Sequence, residues 1–318
     1  MNENQSQKIS CKVCGFEFET DKQLHVHVKI HKLLLIEYYQ QYYPRYDLLE
    51  GKIIKFKNKD QYFNTDFNSR ENLKKWIETI PKERAIEYCK NFLKKRKEIK
   101  GLIYTPTQVE LRSVMIPSVF VLNNLFGDYY KTCEDLGFKN KYIYPHKQIQ
   151  YDLDSLKKHK IYIDTREQKP LDFNNEVEIK TLKFGDYALS NEEYTCKCHI
   201  ERKSLNDFSS TLSGGYERFC REIERAEKFE SYLIVLIEES LENCLRFNSL
   251  PSFFKKNARA NPDYVFHNVR AIIQKYPFVQ FLFVKNRKTA SEVMEKLFSC
   301  NCEYKNIDLQ LAYDLKLL

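Results

Sequence analysis

Residues 185–207 read GDYALSNEEYTCKCHIERKSLND, and the organisation of the chain follows from how this stretch is taken. Tyr187–Leu189 begins a strand, and Thr195–Lys203 is a second strand-like run after a polar gap. Upstream, Lys160–Asp164 (KIYID) reads as a strand ending in an acid, and Val177–Leu182 as another. Downstream, Gly215–Lys228 has helical spacing, and Tyr232–Ile237 (YLIVLI) has the continuous apolar character of a strand covered on both faces. A helix over 263–275, a strand over 278–284 and a helix over 289–298 follow. Strand-like runs alternating with amphipathic helices predict an α/β domain over 157–304, with 305–318 as a C-terminal tail.

The polar residues of these runs fall in a chemically specific pattern. Side chains two apart on a strand share a face, so Glu201 and Lys203 project together, a carboxylate beside an ammonium. Asp186 stands at the entry of the neighbouring strand and can converge on them, while Asp164 closes its own strand. Arg202 is expected on the opposite face unless a bulge turns it. Hydrolysis of a phosphodiester calls for a divalent cation to neutralise developing charge and activate water, and for a second positive group to steer that water. Magnesium takes hard oxygen ligands, commonly one or two carboxylates plus waters.

This pattern resembles the XPF-type structure-specific nucleases, whose signature is GD, a variable gap, ERK, three residues and D. Gly185-Asp186, Glu201-Arg202-Lys203 and Asp207 meet each fixed position, and Asp164-Thr165-Arg166-Glu167 supplies the upstream DTRE element. Ser210–Ala226 resembles the helix that follows in the family. The resemblance implies a restriction-endonuclease-like α/β fold and an endonuclease hydrolysing duplex or branched DNA in repair, recombination or replication. It implies that Asp164, Asp186 and Glu201 bind Mg²⁺ or Mn²⁺ and that Lys203 positions the attacking water. Arg202 and Asp207 join the catalytic set, while Arg166, Glu167, Arg218, Arg221 and Glu222 support the site or touch DNA. A homodimer through the nuclease domain belongs to the same expectation. Many cellular members continue into tandem helix-hairpin-helix motifs, and about twenty residues after the last expected helix leave no room for them. Other parts of the chain are then expected to grip DNA.

Two such parts precede the α/β block. Cys11-x2-Cys14-x12-His27-x3-His31 has the ligand spacing of a Cys2His2 zinc finger over 1–31. Two thiolates come from a hairpin and two imidazoles from one helix face, with Phe18 and Leu24 as its small core. All four positions are filled by protein, so Zn²⁺ here is expected to be structural. His25 is left over, on the surface. With the helix starting at Asp21, Thr20, Gln23 and Val26 would face bases, and none offers a bidentate arginine–guanine contact. Residues 32–150 read as a basic helical region, with Trp76 among its core positions and Lys94-Lys95-Arg96-Lys97 as either a phosphate grip or a solvated helix end. Within it, about 105–138, Phe126-Gly127-Asp128-Tyr129 and Leu136-Gly137-Phe138 resemble the helical DNA-binding repeat found beside homing-type endonucleases. Residues 142–151 are expected to be a linker.

Composition agrees with this division. Residues 1–150 hold 26 Lys and Arg against 18 Asp and Glu, while the remainder is balanced, so the +8 net charge sits in the N-terminal half. That asymmetry suits a polyanion such as DNA. No apolar run is long enough to span a bilayer, and the polar start reads as no leader, so an intracellular, DNA-associated protein without membrane partners is expected, in cytoplasm, nucleoid or nucleus. The 10 cysteines then call for metal binding or burial rather than disulfides. Cys196-x-Cys198 and Cys300-x-Cys302 are read as buried thiols before a second zinc site. Two further readings stay open: a mobile-element nuclease cutting a chosen sequence, and a non-catalytic DNA-binding scaffold, against which the intact Asp186, Glu201 and Lys203 stand.

Overall fold

The computed structural model describes residues 9–46, 53–64, 77–114, 117–189, 198–250, 261–300 and 303–318. Two compact units divide the chain, Met1–Ser69 and Arg70–Leu318. The expected core residue Trp76, together with Cys196 and Cys302, lies outside the described residues.

In the first unit, β1 (Ile9–Ser10) pairs antiparallel with β2 (Glu17–Phe18), and α1 (Asp21–His27) follows, continued by a tighter turn over Val28–His31. Thr20 caps α1 in a reciprocal box: its hydroxyl accepts from the Gln23 amide, and the Gln23 side chain accepts from Thr20 N–H. The core does not stop at His31. Helices α2 (Leu35–Tyr42) and α3 (Lys59–Asn64) add Tyr38, Tyr39 and Tyr62 to Leu24 and Val28, and the Tyr38 hydroxyl accepts from Lys12 N–H at 2.9 Å. His25, expected on the surface, is half-buried and its Nε2 lies 2.9 Å from the Tyr39 hydroxyl.

The second unit opens with helices α4 (Lys82–Lys100), α5 (Gln108–Ser113), α6 (Val119–Phe126), α7 (Tyr129–Asp135) and the short α8 (Leu153–Leu156). Then come β3 (Ile161–Asp164), β4 (Val177–Lys180), β5 (Tyr187–Leu189), β6 (Cys198–Lys203), α9 (Leu205–Thr211), α10 (Tyr216–Lys228) and β7 (Tyr232–Ile237). The short α11 (Leu241–Cys244), α12 (Pro262–Lys275), β8 (Val279–Phe283), α13 (Arg287–Phe298) and α14 (Leu309–Asp314) complete it.

The sheet runs β4-β3-β5-β6-β7-β8, with β5 antiparallel to both neighbours and every other pair parallel. It is covered on both faces. Ile163, Tyr187, Ile200, Ile234 and Leu236 point into one apolar layer with α13 and α14; Leu233, Val235 and Ile237 point into the other with α10 and α12. That is why β7 reads YLIVLI without a polar residue, and all six of its side chains are buried. At the far margin, β4 is exposed throughout.

The tail is not loose. Leu309, Leu311 and Ala312 of α14 are fully buried, and the Gln310 carboxamide receives Phe283 N–H at 2.8 Å, closing the outer edge of β8. Helix α5 locks onto it: Gln108 N–H donates to Asp308 Oδ2 and Gln108 Nε2 to Asp314 Oδ2, both at 2.6 Å. The expected linker is also tied down. Ile143 N–H donates to Asn306 O at 2.9 Å, Ile149 N–H to Leu317 O at 3.0 Å, and Tyr142 is buried. Among the described residues no helix is long and apolar enough to cross a membrane.

Candidate active site

The strand registers bring the predicted acids into line. Ile163 lies opposite Tyr187, and Tyr187 opposite Ile200, so one residue further on Asp164, Asp186 and Glu201 follow one another across β3, β5 and β6. Backbone bonds extend the ladders to this row: Asp164 N–H donates to Asp186 O at 2.8 Å and Asp186 N–H to Ile200 O at 2.9 Å. Directly opposed residues share a face. The three carboxylates therefore stand together at the C-terminal edge of the parallel strands, on the face that α10 and α12 cover.

Gly185 makes the row possible. Its φ of +70° lies in the left-handed region, and a Cβ there would meet the His199 Cβ at 3.2 Å and the Ile200 carbonyl oxygen at 3.4 Å. Only a residue without a side chain lets the chain turn into β5 this close to β6.

Each carboxylate has its own environment. Asp164 is buried, and burial pushes its pKa up, but Arg166 and two backbone amides outweigh that and hold it below the usual value. Arg166 N–H and Nε donate to Oδ1 at 2.9 and 2.6 Å, and Leu182 N–H to Oδ2 at 2.6 Å. Asp186 is raised to about 8, by burial first and the Glu201 charge second, against the 2.8 Å bond from Arg202 N–H to its Oδ2. Burial also raises Glu201. The Lys203 ammonium sits 2.5 Å from Glu201 Oε1 and 5.3 Å from the centre of the Phe219 ring. Burial lowers its pKa, but Glu201, Asp186 and Glu222 outweigh that, so the ammonium is held charged.

Arg202 projects to the other face, as strand alternation requires. Its guanidinium takes both Glu167 oxygens at 2.9 Å and Glu238 Oε2 at 3.1 Å, and Arg287 in turn donates to Glu238 Oε1 at 3.0 Å. Arg287 Nη2 also reaches the carbonyls of Lys169 and Pro170, at 2.6 and 2.5 Å. This alternating chain ties the turn after Asp164 to β6 and β7. Glu238 and Arg287 carry no signal in the sequence, since they lie far from the motif they brace. Asp207 stays apart: it is exposed in the first turn of α9 and accepts from the Ser204 hydroxyl at 2.5 Å. Arg218 and Arg221 are exposed on α10, while Glu222 is half-buried and its charge is felt at Glu201, Lys203 and Arg166.

The donor set fits a hard divalent cation. Buried Glu201 and half-buried Asp186 offer carboxylate oxygens beside one ammonium, and oxygen-only donors suit magnesium or manganese rather than zinc. Asp186 and Glu201 would hold such an ion, and Asp164 only once Arg166 releases it. The one group of three or more ligating side chains gathered within 4.8 Å among the described residues is instead Cys11, Cys14, His27 and His31. There Cys14 Sγ lies 3.2 Å from His27 Nε2, Cys11 Sγ 3.5 Å from His31 Nε2, and the two Nε2 atoms 3.1 Å apart. Thiolate and imidazole donors of this number fit tetrahedral zinc. Of the supposed base-facing residues, Thr20 and Gln23 are engaged in the α1 cap, and Val26 is 63% exposed.

The Lys94–Lys97 run separates in the same way. Arg96 is buried, and Lys97 donates to the carbonyls of Leu136 and Gly137 at 3.3 and 2.7 Å, capping α7, which leaves Lys94 and Lys95 in solvent. On α7 itself the exposed Lys131 pairs with Glu134 and Asp135. Cys198 and Cys300 are buried in the sheet core, and burial pushes the Cys198 thiol up to about 12.

Comparison with known proteins falls on this domain. Residues 163–314 match the family model described as ERCC4 domain. No curated protein matches the chain. Among solved structures, XPF from Aeropyrum pernix is similar at 21% identity, over 43% of this chain and 64% of that one, with a TM-score of 0.31. XPF from the same organism in complex with DNA is similar at 20% identity, over 43% and 62%, with a TM-score of 0.31. This chain thus spans less than two thirds of the length of either. The mixed sheet that carries the acidic row is the part of the chain similar to the ERCC4 domain.

Proposed function

We propose that this protein is a metal-dependent DNA endonuclease that hydrolyses phosphodiester bonds in duplex or branched DNA, in repair, recombination or replication. The observation that carries this reading is the row Asp164-Asp186-Glu201 with Lys203 bonded to its last member. Bound Mg²⁺ or Mn²⁺ supplies charge neutralisation at the phosphate and an acidified water. Asp186 and Glu201 hold that ion, and Arg166 is free to leave Asp164 for a phosphate, since 62% of its side chain is exposed. Lys203, kept protonated by its acidic neighbours, does not act as a base; its ammonium donates to the attacking water and fixes its direction. Arg202 supports from behind, placing Asp186 with its backbone N–H and the Asp164 turn through Glu167. The Cys11-Cys14-His27-His31 set binds structural Zn²⁺.

The test incubates the whole protein with labelled duplex, flap and fork DNA, with Mg²⁺, with Mn²⁺ and with chelator, beside Lys203→Ala. Removing a group that acts only in the transition state is expected to lower kcat about a hundredfold or more with little change in DNA affinity. Tight binding without cutting of any substrate would replace the enzyme with a scaffold. Cutting that survives Lys203→Ala unchanged would remove the lysine from the reaction.

A further inference from the structure

The two thiols of the first unit are chemically alike but differently housed. Cys14 is exposed, whereas Cys11 is 1% exposed, enclosed with Leu24, Val28 and Tyr38 in one apolar cluster. Spacing alone treats the pair as equals; the difference is made by α2, which lies beyond the last imidazole in the chain. A sulfur that carries charge out of reach of water needs a hydrogen-bond donor. Tyr38, fully buried, is hydrogen-bonded to the Cys11 sulfur. Its oxygen already accepts from Lys12 N–H at 2.9 Å, so the hydroxyl proton is the part left to donate. The ring cannot swing away, since it packs against the rings of Tyr39 and Tyr42 at 5.5 and 5.2 Å.

We infer that Tyr38 is a positioning residue of the zinc centre: its hydroxyl donates to the Cys11 thiolate and fixes where that sulfur points. The inference rests on the zinc reading of Cys11, Cys14, His27 and His31, and on nothing in the nuclease domain. Partners behind a metal ligand orient it and adjust its donor strength, and losing one weakens metal binding by about ten- to a hundredfold. The metal-binding unit therefore does not end at His31 but takes in α2 (Leu35–Tyr42), whose Tyr38 reaches back to the first ligand.

The experiment compares the whole protein with Tyr38→Phe, which keeps the ring and removes only the hydroxyl. The control is Tyr39→Phe, which removes a neighbouring hydroxyl bonded to His25 rather than to a ligand. Zinc affinity is measured by competition with a chromophoric chelator, and the cobalt-substituted proteins are examined by absorption spectroscopy. Tyr38→Phe is expected to weaken zinc binding about tenfold. It is also expected to move the thiolate-to-cobalt charge-transfer band to lower energy, because a thiolate without its donor holds its lone pairs less tightly. Tyr39→Phe should leave the band in place. A second measurement needs no substitution: in the parent loaded with a spin-half cadmium isotope, the metal should couple to the Tyr38 hydroxyl proton through Cys11 Sγ. An unmoved band in Tyr38→Phe, an equal shift in both variants, or the absence of that coupling overturns the role of Tyr38 while leaving the zinc site standing. A parent protein that takes up no metal removes the zinc reading and this role with it.

Discussion

Gly185 shows how much of the candidate site depends on one residue that takes no part in chemistry. Its left-handed φ and its closeness to His199 and Ile200 together fix where Asp186 enters β5. Gly185→Ala is expected to cost about 1–2 kcal/mol for the left-handed conformation, plus whatever displacement of β6 the added methyl imposes. Cleavage should fall more steeply than stability, by at least about tenfold, because a small misplacement of a reacting group is costly. Thermal unfolding beside single-turnover cleavage measures both. A variant as active as the parent would show that Asp186 is placed by something else. The sequence makes the acids and Lys203 legible at this scale, since alternation on a strand sets which of them share a face. It does not show Arg166 closed over Asp164, nor Glu238 and Arg287 behind Arg202, because those partners are chosen by packing between segments far apart in the chain.

Among elements, those read most faithfully are the ones whose physics is local. Strand β7 occupies the residues expected, as six consecutive apolar side chains between polar neighbours mark the extent of a strand covered on both faces. Helix α14 escaped because its one turn, LQLAYD, is too short for periodicity, and its buried Gln310 looks like a surface residue until β8 supplies a partner. The expected strand over 177–182 stops at Lys180, since the amide of Leu182 is drawn off the ladder to the Asp164 carboxylate. In the first unit the spacing of Cys11, Cys14, His27 and His31 was legible, but the tyrosines of α2 and α3 that enlarge its core were not, having no metal-site signature. Cys14→Ser is expected to take zinc content from about one ion per chain to none and to unfold the first unit, since a structural zinc contributes about 10 kcal/mol or more. Metal analysis and far-ultraviolet circular dichroism measure it; zinc retained in full would refute the ligand set.

Across the whole second unit, the joint between α5 and α14 passes through Asp308. This buried carboxyl accepts from the amides of Gln108 and Leu311, but burial dominates and raises its pKa from 3.8 to about 6. The folded state therefore holds the proton more tightly than the unfolded one. The stabilisation from this group is complete below pH 4 and is lost as pH rises through 6, an amount of about 3 kcal/mol. Asp308→Asn removes that titration. Unfolding by urea at pH 4 and pH 7 should show the variant gaining on the parent by about 3 kcal/mol as pH rises. Parallel stabilities at both values would mean that the carboxyl titrates normally.

The same joint sets the order of assembly. Gln108 and Asp308 are bridged across nearly the length of the unit, so this contact must close a very long loop before it contributes anything. Until it does, α14 can already reach β8 through the local Phe283–Gln310 bond, but its other side and the apolar layer around it lack the cover of α5. A chain of this design is slow to mature and sticky while it waits. Overproduced in a cell, it should be lost first to aggregates built on the YLIVLI segment, and slower synthesis or a lower temperature should recover it.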